Sequence, residues 1–368
     1  MKKRQALILI TCIFLATSIG CQVQAIPHVR NGDAYQQQEQ WDKAIEEYTL
    51  ATQLDPGHTR AYSNRGWVYA QKGEYDLAIA DCSKAIELDP DFAEAYSNRG
   101  WTYSRRGWTY RDEKDQEKDF NQAITDCTRA IELNPELSVA YNTRGWAYSE
   151  KGNFDVAHFE EAITDCTKAI ELAPEFAEAY NNRGWAYARR GWTNNSEKDL
   201  KMAIPDLTKA IELNPEYTVA FNNRGFVYDN LAEFDKAIVD SSKAIELDPN
   251  YATAYNTRAW AYVETKKYDK AIIDCTKAIE LDPRLAAAYE TRGWAHFEKG
   301  TYNQTIIDCT SAIELDPEFD VPYLLRGRAY LKLGKEPEAR QDLETFIRIS
   351  ENEYLIAQAR ELLSQLNP

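Results

Sequence analysis

The sequence predicts an all-α fold, a solenoid of stacked helix hairpins, and three observations carry that reading. Prolines recur at 56, 90, 135, 174, 215, 249, 283 and 317, with spacings of 34, 45, 39, 41, 34, 34 and 34 residues. Each proline closes a stretch of the type Ala-Ile-Glu-Leu-Asp-Pro. Inside every period, apolar residues fall twice on a helical stripe, separated by a turn. Self-similarity at this period marks supersecondary units that cannot bury their apolar faces alone and must stack on their neighbours.

Residues 59–92 show how one repeat is built. Tyr62, Gly66 and Tyr69 stand at repeat positions 4, 8 and 11, a helical stripe that stops at Gly73, where left-handed backbone is cheap. Ala78, Ile79, Cys82, Ala85, Ile86 and Leu88 share one face of the second half, and Pro90 ends it. The same pattern divides the chain into nine repeats: 25–58, 59–92, 93–137, 138–176, 177–217, 218–251, 252–285, 286–319 and 320–353. Three of them carry 11, 5 and 7 extra residues between their helices. These segments are expected either as elongated turns projecting from one edge or as lengthened helices. Residues 354–368 supply one further amphipathic helix, with Leu355, Ile356, Ala359, Leu362, Leu363 and Leu366 on one side, suited to cap the last open interface.

The pattern Tyr-x2-Arg-Gly-x2-Tyr, then Ala-x3-Cys, then Ala-x4-Pro resembles the signature of the tetratricopeptide repeat family. That resemblance implies a right-handed α-solenoid of about nine repeats over 25–353, acting as a protein-interaction scaffold without catalytic activity. It also places positions 2, 5, 6, 9, 12 and 13 of each first helix on a concave wall.

Position 9 is aromatic in seven successive repeats: Trp67, Trp101, Trp146, Trp185, Phe226, Trp260 and Trp294, with Asp33 and Arg328 at the two ends. Positions 5 and 6 beside them are rich in amides: Asn64, Asn98, Asn142, Asn181, Asn182, Asn222, Asn223 and Asn256. Flat aromatic faces and amides suit an extended peptide or a glycan. Two roles remain open for the aromatics, groove lining and packing between repeats. Recognition of a chaperone's terminal carboxylate, known in the family, is discounted, since no repeat has Lys at position 5 and position 9 is aromatic.

Position 7 is Arg and position 23 Asp in eight consecutive repeats, and in the first repeat both change together, to Asn31 and Glu47. Joint departure predicts partly buried bidentate ion pairs, among them Arg144 with Asp165, Arg183 with Asp206, and Arg258 with Asp274. The cysteines Cys82, Cys127, Cys166, Cys275 and Cys309 all occupy position 24 on the core face. Neighbouring repeats hold them about 10 Å apart, beyond the ~7 Å between α-carbons that a disulfide spans.

Ahead of the first repeat, Lys2, Lys3 and Arg4 precede an uncharged apolar run from Ala6 to Ile19, which reads as a secretory signal over 1–20. Thr17-Ser18-Ile19-Gly20-Cys21 resembles a bacterial lipobox that would leave Cys21 lipid-modified, while Val23-Gln24-Ala25 offers an ordinary cleavage site after 25. The expectation is an exported protein, periplasmic or at the cell surface, touching a membrane through a lipid anchor. A net charge of −16 argues against nucleic-acid partners and adhesion to anionic lipid. His28, His58, His158 and His296 have no recurring partners, and no catalytic, metal-ligating or cofactor-binding pattern is found. A protein or peptide is the expected partner, with a glycan as the alternative.

Overall fold

The computed structural model describes residues 23–109, 113–151 and 157–366, and all regular structure among them is helical. The signal segment 1–20, Cys21, the central part of the repeat-four insertion at 152–156 and the last residues of the cap, 367–368, lie outside the described residues.

The chain divides into two compact bodies, Met1–Thr193 and Asn194–Pro368. The first contains α1 (residues 23–37), α2 (Trp41–Leu54), α3 (Thr59–Gln71), α4 (Tyr75–Leu88), α5 (Ala93–Thr109), α6 (Glu113–Leu133), α7 (Ser138–Lys151), α8 (Ala157–Leu172) and α9 (Ala177–Thr193). The second contains α10 (Glu197–Leu213), α11 (Thr218–Asn230), α12 (Phe234–Leu247), α13 (Ala252–Glu264), α14 (Tyr268–Leu281), α15 (Ala286–Glu298), α16 (Tyr302–Leu315), α17 (Val321–Lys332), α18 (Glu336–Ile349) and α19 (Glu353–Ser364).

Within each body, helices pack on their sequence neighbours to give a run of hairpins, an α-solenoid. First helices also pack on the first helix of the next repeat, α3 on α5 on α7 on α9 in one body and α11 on α13 on α15 on α17 in the other. Among the described residues no comparable contact joins successive second helices. A layer whose members touch, beside one whose members do not, is the inner side of a curve. The first helices therefore form the inner layer of each body.

Small residues set how closely the two helices of a hairpin approach. A Cβ added at Gly66, Gly100 or Gly145 would meet the sulfur of Cys82, Cys127 or Cys166 at 2.6–2.7 Å. The five position-24 cysteines are buried, and burial pushes their thiols well above the ordinary range where a shift is resolved, as at Cys275 and Cys309. They pack as small apolar side chains.

The turn between the helices of a hairpin uses left-handed backbone at position 15. Gly73, Gly300 and Gly334 adopt φ of 80°, 76° and 71°, while Glu39, Ala232 and Lys266 hold φ of 55°, 57° and 59° at the equivalent place. An L-residue is strained there, by about 1 kcal/mol or more. Ala232→Gly is accordingly expected to stabilise the C-terminal body by about 1 kcal/mol, read as a raised urea midpoint. An unchanged or lowered midpoint would contradict the strain.

The insertions resolve mainly as lengthened helices. α5, α6, α9 and α10 run to 17, 21, 17 and 17 residues, against 13 or 14 in the regular repeats. Arg106, within the extension of α5, forms a two-pronged ion pair with Asp119 of α6 at 2.8 and 2.9 Å, which stitches the longer hairpin together. Trp108 and Trp192 at the ends of α5 and α9 stay exposed. At the C terminus Ile356 and Ala359 of α19 bury against Leu324, Leu343 and Phe346, as a cap requires.

Candidate binding face on the inner helix layer

The expected ion pairs form a regular lock. Arg144 Nε and Nη2 donate to Asp165 at 2.7 and 2.8 Å, and Arg258 does the same to Asp274 at 2.7 and 2.9 Å. Arg65, Arg99, Arg224, Arg292 and Arg326 pair likewise with Asp81, Asp126, Asp240, Asp308 and Asp342. Arg183 and Asp206 fall in different bodies; Arg183 donates to Thr167 at 3.2 Å, and Asp206 is buried. In the first repeat, where Asn31 and Glu47 replace the pair, Asn31 donates to Glu47 at 3.5 Å and His28 contacts the same carboxylate at 2.6 Å.

Two parts of this lock escaped the sequence reading. The remaining guanidinium nitrogen reaches back to a hydroxyl of the preceding repeat: Arg99 to Ser83, Arg144 to Thr128, Arg258 to Ser242, Arg326 to Thr310, at 2.9–3.1 Å. The guanidinium carbon also lies over the ring at position 4, 5.4–5.8 Å from Tyr62, Tyr96, Tyr141, Tyr255 and Tyr323. Position 25 does carry the signal: it is Ser or Thr in each repeat that another arginine follows, and Glu344 in the last.

The amides proposed for ligand contact are largely engaged with one another, because the inner layer brings position 6 of one repeat against position 5 of the one before. Asn98 donates to Ser63 at 3.0 Å, Asn182 to Asn142 at 3.0 Å, and Thr257 to Asn222 at 3.0 Å. Asn181 donates to Asn182 at 3.2 Å, and Asn64 donates to Asp33, which Tyr48 and Arg60 also reach. Asn222 and Asn223 are buried. Asn256 differs, since its Oδ1 is buried without a hydrogen-bond partner.

All seven position-9 aromatics are half-buried, neither core nor free surface. Trp67 packs edge-on against Trp41 with ring centroids 5.8 Å apart. Arg105, one turn beyond Trp101, places its guanidinium 5.6 Å from the Trp101 ring and 5.8 Å from that of Trp146 in the next repeat. Arg328 lies 5.9 Å from Trp294. The ladder thus packs between repeats and also presents faces that accept cations.

Electrostatics differ between the two bodies at positions 12 and 13. In the first, Arg105 lies over Trp101 and Trp146, and Arg189 is buried against Glu150, itself one turn beyond Trp146, at 3.1 Å. In the second, Asp229, Glu264 and Glu298 follow Phe226, Trp260 and Trp294 one turn on, so each carboxylate shares a helix face with an aromatic ring. Burial, reinforced by the charge of Glu264, pushes the Asp229 carboxyl up to about 8. Burial likewise raises Glu290 to about 7, although it accepts a 2.7 Å hydrogen bond from the Trp294 indole, and Asp320 adds to the rise. Among the described residues no cluster of carboxylate, His and Cys groups could hold a metal ion.

Models of the tetratricopeptide repeat match residues 59–92 and 252–285, residues 138–176, 186–217, 219–251 and 322–353, and residues 82–114 and 166–198. A TPR repeat model matches 32–73. The chain belongs to the tetratricopeptide repeat family. No curated protein matches it. Among solved structures, the APC/C hetero-tetramer Cut9-Hcn1 is 15% identical with a TM-score of 0.62, over 94% of this chain and 76% of that one. The human IFIT1 dimer with m7Gppp-AAAA is 15% identical with a TM-score of 0.59, over 91% and 79%. A tetratricopeptide repeat protein from Parabacteroides merdae is 19% identical with a TM-score of 0.53, over 73% and 100%. At these identities the likeness concerns the fold, and this chain's ligand has to be argued from its own side chains.

Proposed function

We propose that this tetratricopeptide repeat chain is a non-enzymatic scaffold that captures an extended protein segment along its inner helix layer, at the surface of an exporting cell. The family membership supports protein binding. The observation that carries the choice of face is the aromatic ladder, half-buried in seven consecutive repeats, where pure packing would bury it. Half-exposed Trp supplies contact area at small entropic cost.

Export and anchoring are part of the same reading. Ala25 and Val29 belong to the buried cluster that seats α1 on α2 and α3. Cleavage after Ala25 would remove one of those residues, which favours processing ahead of Cys21 and a lipid anchor there. Among the described residues no helix is long and apolar enough to cross a membrane. Mass spectrometry of the mature amino terminus tests this: a diacylated Cys21 supports the anchor, and an unmodified start at Ile26 overturns it.

The face is tested with the mature chain immobilised against a membrane-protein extract and against envelope glycan. Trp146→Ala with Trp185→Ala is expected to cut retained protein at least tenfold while circular dichroism and melting stay near wild type. Retention unchanged by the substitutions would remove the ladder from the binding face, and retention of glycan alone would turn the reading to a sugar-binding surface.

A further inference from the structure

We infer that Arg105, held over Trp101 and Trp146 on the inner layer of the N-terminal body, receives the carboxylate of an aspartate or glutamate in the captured segment. The inference rests on the scaffold reading and gives its partner an acidic anchor point.

Arg105 stands one helical turn beyond Trp101 on α5, so its stem shares a face with that ring. α7 packs on α5 and brings Trp146 within reach as well. The guanidinium carbon lies 5.6 Å from the centre of one ring and 5.8 Å from that of the other. Two ring contacts restrict a long side chain before any ligand arrives, which removes part of the ordering cost of binding. The rings attract the charge without supplying a counter-ion. Arginine carries five N–H donors in a planar fork, and Arg105 stays exposed.

The chain supplies no acceptor for that fork. Among the described residues Arg105 forms no hydrogen bond or ion pair, only the two ring contacts. Position 13 of the adjoining inner helices holds Gln71 on α3, which is neutral, and Glu150 on α7. Glu150 is 13% exposed and committed to Arg189 at 3.1 Å. Ser104, Thr143 and Ser149, each three residues from one of the two rings, have hydroxyls buried too deep to serve and themselves without partners. Other arginines of this layer are answered from within: Arg60 by Asp33, and Arg65, Arg99 and Arg144 by aspartates of their own repeats. A guanidinium fixed by two rings yet left unanswered, in a chain of net charge −16, calls for an acceptor from outside.

Arg328 in the C-terminal body lies over Trp294 and Phe297 in a similar manner, but Glu361 stands in the cleft that it borders. A carboxylate of the chain is already at hand there, so the assignment is confined to Arg105. The acceptor's chemistry follows from the fork. A carboxylate matches it with two parallel hydrogen bonds and a single charge. A phosphate carries a charge of about −1.5 to −2 and is read by clusters of arginines, whereas Arg105 faces its ligand alone.

Selection of phage-displayed random peptides on the full mature chain, wild type and Arg105→Gln in parallel, tests this. Wild type is expected to select peptides sharing an Asp or Glu that those selected by the variant lack. Synthesised with a fluorescent label, the wild-type peptides should bind Arg105→Gln about tenfold more weakly by anisotropy, and Arg105→Lys to an intermediate degree. Changing the shared Glu to Gln in the peptide should cost the same tenfold on wild type and under about twofold on Arg105→Gln, since the partner is then already gone. Arg129→Gln, an equal loss of charge on the second helix α6, should leave binding within about twofold. No shared acidic residue, an equal loss from Arg129→Gln, or tighter binding when phosphoserine replaces the acidic residue would overturn the inference. Peptides whose binding needs Trp146 and Trp185 but not Arg105 would overturn it and leave the scaffold reading in place. If wild type selects no peptide and retains no protein, both readings fall together.

Discussion

Arg258→Met is expected to cost about 3–5 kcal/mol of unfolding free energy. Arg258 sits in the C-terminal body with its side chain 19% exposed, and its partner Asp274 is 7% exposed. It makes two hydrogen bonds to Asp274, a third at 3.1 Å to Ser242 of the preceding repeat, and stacks on Tyr255 and Tyr262. Burial works against the guanidinium charge, yet the hydrogen bonds and charge of Asp274 outweigh it, so the Arg258 pKa is raised. Methionine restores the volume and removes all three hydrogen bonds. The large part of the cost is what remains: an aspartate buried without a counter-charge. Asp274→Leu should also be costly, through the stranded arginine, and Arg258→Met with Asp274→Leu less so than the two added together. Ser242→Ala removes only the bond to the previous repeat and should cost ~0.5–1.5 kcal/mol. Urea melts of the four variants decide the matter. Additive losses across the double substitution would show that the pair does not act as a unit.

Such locks explain why so much of the fold is legible in the residues. A solenoid is specified by contacts within a repeat and with its neighbour, so the period itself reports the architecture, and joint changes such as Asn31 with Glu47 report the contacts. The hydroxyl at position 25 was equally periodic, but a Ser or Thr on a helix is common enough that its role emerges only once Arg144 is seen to reach Thr128. The amides show the opposite case. Their composition suggests a ligand, but position 6 meets position 5 of the adjacent repeat, a relation between chain segments about 35–40 residues apart that no local pattern announces. The insertions leave two readings open in the sequence, and Arg106 with Asp119 shows why the lengthened helix is the one realised in the third repeat. The carboxylates at positions 12 and 13 pass unnoticed in an acidic chain, and only burial separates Asp229 from the many solvated ones.

Asp229→Asn is expected to stabilise the protein, and by more as the pH rises. Its carboxyl is raised from an ordinary value of 3.8 to about 8, through burial first and the charge of Glu264 second. Below about pH 4 the group is protonated in both folded and unfolded chains and contributes no difference. Between about 4 and 8 the unfolded chain releases the proton and the folded chain keeps it, so wild-type stability falls as pH rises; above about 8 the loss is complete. At ~1.4 kcal/mol per unit of pKa, the accumulated penalty is on the order of several kcal/mol. Asparagine cannot ionise, so the variant's urea midpoint should exceed that of wild type at pH 8.5 and approach it at pH 4.5. A gap of constant size would assign the effect to packing, and a wild type that gains stability with pH would show the carboxylate to be paired. Glu264 faces Asp229 from α13 and adds to the rise, while Lys236 of α12 is held by Glu233 and lies over Tyr228. A residue kept at this cost to the fold is expected where binding uses it.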